Sequence, residues 1–446
     1  MPTSPPASLH TSVRTPFSLI LKGAVGSAVL KGINLLFGLL ATAFLGRVLM
    51  PTQYGYYAFA STVVTLLALP VQCGLPQLMT REIAKYQLAE QWGHIRGLLL
   101  RANQLSAVLG LVMVAALLLA LPLLTHFVRA VDQPTFLWAI VLLPLIALNR
   151  LRGGALIGLR KVVLGMLPDN GIRAVLFLAF IVLWHWLWPF GSADAMALQV
   201  AATLIAFLAG AVLLMRHLPS SVRTNPAAFD SRNWVSAIIP LTLTDALLIV
   251  NMQADLVILG VFRDAADVGL YRAAVLVATQ VTVGLTIANE VLSPHIARLH
   301  LAGDSAGLKS MMRQALGWLA LTGVVLAGVC IMAGREILVF VFGTPYAGGA
   351  HALAILAFGQ FVTVAAGTGA VLLNMSGHEK DVLRVFAISA ITNVAANLLL
   401  IPLLGLVGAA IATTCCQIFS NALLLFYVRR RLGFSFWPGG ANTPRH

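Results

Sequence analysis

Charged side chains are scarce in this chain. Asp, Glu, Lys and Arg make up 10% of its 446 residues, against about 25% in a soluble globular domain. With 59% hydrophobic residues and a mean hydropathy of +0.91, a water-soluble fold is excluded. Long polar segments are missing too. The longest breaks between apolar runs, roughly 80–97 and 216–235, are too short to fold as domains. That argues against a membrane-embedded glycosyltransferase, polymerase or ligase, which needs acidic or His groups on a substantial loop, and no enzyme activity is expected. Cysteine is rare: Cys73, Cys330, Cys415 and Cys416 lie in apolar segments without His or acidic neighbours at ligand spacing. Neither a metal site nor a disulfide framework is expected. No Walker A loop is present, so direct ATP hydrolysis is not expected, and no cofactor is implied.

What the chain does have is a series of apolar runs of about 20 residues, the length that crosses a hydrocarbon core of about 30 Å. Twelve are read, at about 20–46, 57–79, 98–125, 136–159, 166–188, 195–215, 236–261, 271–293, 315–342, 351–374, 384–404 and 405–428. The expected fold is all-α, a polytopic membrane protein of about 12 transmembrane helices. Ala41-Thr42-Ala43 has the shape of a signal-peptide cleavage site, but the preceding run is too long and Lys31 interrupts it.

Acidic groups are fewer than basic ones, 15 against 29, for a net charge of +14. Such a balance invites a nucleic-acid reading, yet most Lys and Arg fall on one side of the expected membrane topology. Clusters include Arg81, Lys85, Arg96 and Arg101, then Arg150, Arg152, Arg160 and Lys161, and finally Arg429, Arg430 and Arg431. The positive-inside rule accounts for them, puts both termini in the cytosol, and makes no nucleic-acid partner necessary.

The chain also repeats itself. Leu45, Gly46, Gly55, Tyr57 and Ala60 recur 214 residues later as Leu259, Gly260, Gly269, Tyr271 and Ala274. Ile83-Ala84-Lys85 matches Ile296-Ala297-Arg298 at an offset of 213. Two parallel six-helix lobes around a central cavity follow, as in transporters built from repeats. The expected division is a disordered cytosolic tail at 1–16, a first lobe at 17–215, a cytosolic linker at 216–235, a second lobe at 236–431 and a tail at 432–446.

Ionisable groups inside a bilayer cost roughly 2.5 to 3.5 kcal/mol each and tend to face a cavity or a partner. Lys31 lies about 22 Å before Gly46 at 1.5 Å per residue. It shares an arc of about 80° with Ser27, Asn34, Gly38 and Thr42. Such a stripe is either a cavity wall offering a cation and hydrogen bonds, or a helix-packing face of small polar residues. Adding 214 to Lys31 gives Asp245, so the repeat places opposite charges at equivalent depth, able to face each other and pair in one state of a transport cycle. Asp245, with Thr244, Asn251 and Asp255, forms a polar face on the seventh span. Thr279, Thr282, Thr286, Asn289, Glu290 and Ser293 form another on the eighth, within about 100°. Glu290 is a proton or cation site, or an interfacial carboxylate. Arg173 is a phosphate-ligand candidate, because guanidinium binds phosphate oxygens bidentately. These charges together do not settle the sign of the cargo.

The run Asp255-Leu-Val-Ile-Leu-Gly260, followed by Val268-Gly-Leu-Tyr271-Arg-Ala-Ala274, resembles the seventh-to-eighth helix signature of bacterial polysaccharide-biosynthesis proteins. These are the Wzx-type oligosaccharide flippases of the multidrug, oligosaccharidyl-lipid and polysaccharide exporter superfamily. Further similar stretches are Leu49-Met-Pro51-Thr-Gln-Tyr54-Gly55, Pro294-His-Ile-Ala-Arg298, Val341-Phe-Gly343-Thr-Pro-Tyr346, Asn374-Met-Ser-Gly377-His-Glu-Lys380 and Gly405-Leu-Val-Gly408-Ala-Ala-Ile-Ala412. The likeness spans nearly the whole chain and is strongest in its C-terminal half.

That resemblance implies a bacterial inner-membrane protein with a cavity opening alternately to either side. It implies translocation of an undecaprenyl-diphosphate-linked oligosaccharide to the outer leaflet for O-antigen, capsule or exopolysaccharide assembly. The implied partners are the lipid-linked oligosaccharide, membrane lipids and polysaccharide-assembly proteins; no oligomeric state is implied. Lys31, Asn34, Arg173, Asn251, Thr286 and Asn289 become substrate-binding candidates, with Lys31 and Arg173 for diphosphate or acidic sugars. Asp245, Asp255 and Glu290 become candidates for ion coupling or gating. The alternative is a multidrug extruder of the same superfamily, which three acidic candidates would suit.

Overall fold

A computed structural model describes residues 17–433; the expected tail at 1–16 and most of that at 432–446 lie outside them. Helices follow in the order α1 (Phe17–Gln72), α2 (Leu75–Leu88), α3 (Trp92–Phe127), α4 (Gln133–Gly158), α5 (Val162–Met166), α6 (Arg173–Leu187), α7 (Ser192–His217) and α8 (Ser220–Thr224). After them come α9 (Ser231–Phe262), α10 (Ala265–Thr279), α11 (Val283–Leu301), α12 (Ser305–Met332), α13 (Gly334–Phe342), α14 (Ala350–Ala366), α15 (Gly369–Met375) and α16 (Glu379–Leu432). Among the described residues there is no strand, and 10 helical stretches are long and apolar enough to cross a membrane.

Two of those stretches are far too long for one crossing, and both are broken. α1 breaks at Met50 (φ 61°, ψ 166°), immediately before Pro51, which cannot donate to the preceding turn. A non-glycine residue with such angles is strained, so Met50 marks where the chain is forced to reverse. α16 breaks at Gly405 (φ 61°, ψ −135°), three residues after Pro402. There the Arg263 guanidinium donates to the carbonyl of Pro402 at 2.9 Å, supplying a cation to a helix C-terminus. The runs read at 57–79 and 351–374 are each interrupted as well, by Cys73 and Gly74 and by Gly367, all at positive φ. Apolar composition continues through these bends, so hydropathy does not register them.

Where the cores sit decides the shape. One large core at the hairpin end combines Leu45, Tyr54, Leu259, Tyr271, Phe342 and Tyr346, residues from both halves of the chain. At the opposite, basic end the core divides. One cluster joins Leu78, Ile83, Leu98 and Leu159 of the first half with Trp234. A separate one joins Ile296, Met312, Leu373 and Val428 of the second half. The halves are therefore fused at the hairpin end and, at the basic end, joined along the α2–α9 side and parted along the α1–α11 side. The segment between them is docked: the Ala228 N–H donates to the Gly93 carbonyl at 2.9 Å.

The fusion obeys the repeat. An added Cβ on Gly55 would strike the carbonyl oxygen of Ala265, and one on Gly269 would strike that of Pro51. Ala265 stands 214 residues after Pro51, as Gly269 does after Gly55. Reciprocal contact of this kind is what a twofold relation produces. Tyr57 follows the same rule, donating to Gln199 at 2.7 Å while Tyr271 meets Thr413 at 3.4 Å, both pairs 142 residues apart.

Candidate functional site: the polar gap between the halves

At the basic end, two side-chain contacts that involve residues singled out from the sequence cross from one half to the other. Lys31 on α1 pairs with Glu290 on α11, Nζ to Oε1 at 2.6 Å. Gln77 on α2 donates through Nε2 to both carboxylate oxygens of Asp245 on α9, at 2.8 and 2.7 Å. Lys31 and Asp245 each lie about 28 Å from the hairpin end, counted at 1.5 Å per residue. They do not pair with each other in this state. Each instead takes a partner from the opposite half, and the partners correspond in turn, Gln77 to Glu290 at an offset of 213. The repeat thus predicts two symmetry-related bridges rather than one axial pair.

The bridges sit in unequal surroundings. Around Gln77–Asp245 the seam is zipped: Trp234 donates Nε1–H to the Tyr86 hydroxyl at 3.0 Å, both rings buried. Gly74 packs against the backbone of Leu241 and Thr242. On the other side α11 stays largely clear of α1. The Lys31 and Glu290 side chains are 51% and 61% exposed. An ion pair this open contributes at most about 1 kcal/mol, so it holds the gap lightly. Asn34 stands half-buried one turn from Lys31.

The polar face expected on the eighth span is divided by a 3₁₀ turn at Gln280–Thr282. Thr279 and Thr282 spend their hydroxyls on the carbonyls of Leu276 and Thr279. Thr286 does the same with Thr282 at 3.2 Å. Asn289 differs, because its buried Oδ1 has no hydrogen-bond partner among the described residues. An unpaired buried acceptor beside Glu290 is costly unless something donates to it.

Behind Gln77 lies an open cavity of about 530 Å³ whose mixed wall carries the polar side chains of Gln77, Thr80, Arg81, Asn149, Arg150 and Asp169. Arg150 is exposed. Asp169 belongs to a six-residue π-helical turn, Leu167–Ile172, a distortion found often at functional sites. Its Oδ1 accepts from Asn149 at 2.9 Å and from Arg173 Nε at 3.2 Å. Arg173 is thus tied to the cavity wall through Asp169. Sequence reasoning missed Gln77 and Asp169. Gln77 was findable as the repeat counterpart of Glu290, and Asp169 from the Pro168-Asp169-Asn170-Gly171 tetrad inside an apolar run.

The remaining candidates lie within the second half. Asn251 donates to the Leu247 and Phe386 carbonyls and accepts from Ser389 at 3.1 Å, which fastens α9 to α16. Asp255 is buried at 7% exposure in the hairpin-end core. It accepts from the Tyr271 hydroxyl at 2.6 Å, the Leu256 N–H at 2.8 Å and the Thr413 hydroxyl at 3.2 Å. The first half has Ala41 at the corresponding position, so this carboxylate belongs to one half alone. Among the described residues no cluster of His, Cys, Asp or Glu could hold a metal ion.

Architecture and gap define a multi-pass helical membrane fold. Solved structures agree. The chain is similar to an inward-facing multidrug resistance MATE family transporter of the MOP superfamily, with TM-score 0.74, 15% identity, and 92% of this chain and 98% of that one covered. It is also similar to the lipid II flippase MurJ in an inward closed conformation, with TM-score 0.69, 12% identity, and 92% and 87% covered. An outward-facing MATE family transporter gives TM-score 0.64 at 15% identity over 93% and 95%. None of the curated protein sequences matches the chain. Residues 20–300 match the model of the polysaccharide biosynthesis protein family, and the chain belongs to that family. That match takes in the stretches at 49–55, 255–274 and 294–298 and ends before those at 341–346, 374–380 and 405–412.

Proposed function

We propose that this protein is a flippase that carries an undecaprenyl-diphosphate-linked oligosaccharide from the cytosolic to the outer leaflet of the bacterial inner membrane. Two six-helix lobes, 17–215 and 236–431, rock against each other, parting at the Gly55–Gly269 contact when the hairpin end opens, and both termini are cytosolic. The observation that carries the reading is the parted side of the basic end, where a lightly held cation, Lys31, stands beside an open seam between α1 and α11. A lipid-linked head group needs such a seam, because its chain must remain in the membrane while its phosphates and sugars pass between the lobes. Lys31 meets the anion at the seam, Asn289 accepts from a sugar hydroxyl through its unpaired Oδ1, and Arg150 with Arg81 receives the diphosphate in the cavity behind Gln77. Family membership supports polysaccharide assembly as the setting, with the assembly proteins as downstream partners.

Asp255 serves coupling in this reading. A buried carboxylate ringed by two hydroxyls and an N–H accommodates a proton or a monovalent cation, and its occupancy changes the packing of α9 on α10 and α16. Asp245 and Glu290 act as gating groups, bridging the halves when the gap is empty.

One specific observation favours a second reading, a cation-coupled multidrug extruder. Asp169, Asp245 and Glu290 all border the gap. Deleting the gene and measuring diphosphate-linked oligosaccharide on each leaflet, with cationic-dye efflux in parallel, separates the two. Completed repeat units accumulating on the cytosolic side is the expected result. An unchanged lipid-linked pool with lost dye efflux assigns the extruder instead.

A further inference from the structure

A second cavity, of about 560 Å³, lies on the other side of α2 from the polar gap. Its walls are almost entirely apolar, formed by Leu75 and Leu78 of α2, Leu105 and Val108 of α3, and Trp234 and Val235 of α9. Val108 and Val235 at its mouth are 60% and 57% exposed, so the groove opens outward from the bundle. The seam behind it is the zipped one. Trp234 and Tyr86 are hydrogen-bonded, and Gly74 is in backbone contact with α9. A bulky sugar head group therefore has no route from this groove to the polar gap, which excludes the lipid-linked cargo as its occupant.

The groove has one charged wall residue, Arg101. Its guanidinium carbon stands 4.9 Å from the centroid of the Phe229 ring, and no carboxylate among the described residues pairs with it. Ser231 also lines the groove at this end, next to Arg232. The nearby Asp230 is engaged by the Asn233 amide at 2.9 Å. An apolar slot with an arginine that no carboxylate neutralises at its basic-end rim is complementary to one ligand class available there, a lipid with an anionic phosphate and a long hydrocarbon chain.

We propose that this groove is a binding site for an anionic glycerophospholipid of the leaflet at the basic end. The phosphate rests on Arg101 and an acyl chain lies between α3 and α9. Since α3 belongs to the first half and α9 to the second, the lipid adds apolar contact across the halves on the zipped side only. It therefore strengthens this seam and leaves the α1–α11 seam free to open.

The test uses the full-length protein purified in detergent and exposed to dioleoyl phosphatidylglycerol or dioleoyl phosphatidylcholine, with bound lipid counted by native mass spectrometry and Tm measured in parallel. Phosphatidylglycerol should be retained about fivefold better than phosphatidylcholine, the factor expected for one arginine near an anionic head group. It should also raise Tm more. Arg101→Gln should erase the preference. Val108→Trp and Val235→Trp, at exposed positions that leave the fold intact, should lower retention of both lipids. Equal retention of the two lipids by the unaltered protein overturns the proposal, as does an unchanged preference in Arg101→Gln. Stronger retention of a polyprenyl phosphate than of phosphatidylglycerol, lost in Val108→Trp, overturns it in favour of the cargo chain.

Discussion

Gly55 and Gly269 face each other across the junction of the two halves, each with no room for a side chain because the other hairpin's backbone carbonyl occupies the space. The contact is reciprocal, and it closes the end of the molecule opposite the basic face. It also identifies the part of the structure that must come apart if this end opens.

Gly55→Ala and Gly269→Ala are predicted to disfavour this closed state. The obstructing atoms are backbone carbonyls, which cannot rotate away, so the overpacking penalty is about 1–3 kcal/mol. With the four native cysteines removed, Ala58→Cys is buried in the hairpin-end core and should label slowly with an impermeant maleimide. Adding Gly55→Ala should raise its labelling severalfold. Unchanged labelling would mean that the hairpins are not the gate.

Lys31→Ala should abolish or strongly reduce export without lowering membrane abundance, because the exposed pair with Glu290 adds at most about 1 kcal/mol to stability. Exchanging the two charges, Lys31→Glu with Glu290→Lys, separates bridge from ligand. If the pair only latches the gap, the exchange restores export; if Lys31 contacts an anionic cargo, export stays low. Normal export in Lys31→Ala removes the residue from the site.

Arg150→Ala combined with Arg81→Ala tests the cavity behind Gln77. Charge-assisted hydrogen bonds contribute about 1.5–3 kcal/mol each. The double variant should therefore bind a short-chain polyprenyl diphosphate at least about tenfold more weakly by isothermal titration. Affinity within twofold of the unaltered protein would place the diphosphate elsewhere.

Asp255→Asn addresses coupling. The amide keeps the shape but cannot carry the negative charge that three donors surround. Transport in proteoliposomes should lose its dependence on an imposed sodium or proton gradient, while binding of the diphosphate probe persists. Tyr271→Phe removes one donor and should weaken the same dependence while costing about 1–3 kcal/mol of stability. A gradient response surviving in Asp255→Asn refutes the assignment.

Much of the architecture was legible from composition. Twelve apolar runs were read where the described residues have 10 long apolar helical stretches, and the boundaries read between 46 and 57 and between 404 and 405 fall at the breaks of α1 and α16. Such runs follow from a solvent that cannot satisfy an exposed backbone, a constraint that acts residue by residue. The 214-residue offset was legible as well, and it placed Lys31 and Asp245 at equal depth. The conclusion that they could pair was where one-dimensional reasoning stopped short. A twofold axis brings a residue against its counterpart only close to the axis, as at Gly55 and Gly269; in this state Lys31 and Asp245 take other partners.

Sequence by itself therefore determined that the chain crosses a membrane many times, that two hairpins 214 residues apart share five residues, and which few ionisable groups lie in its apolar runs. Each is a property of composition and spacing. Tertiary structure alone decided that Lys31 meets Glu290 and Asp245 meets Gln77, that Asn251 is spent on fastening two helices, and that Asp169 and Arg150 share a cavity. It also decided that one seam is zipped while its counterpart stands open. Those outcomes depend on how helices far apart in the chain lean on one another, and on small differences such as Trp234 against Tyr86, to which hydropathy and periodicity are blind.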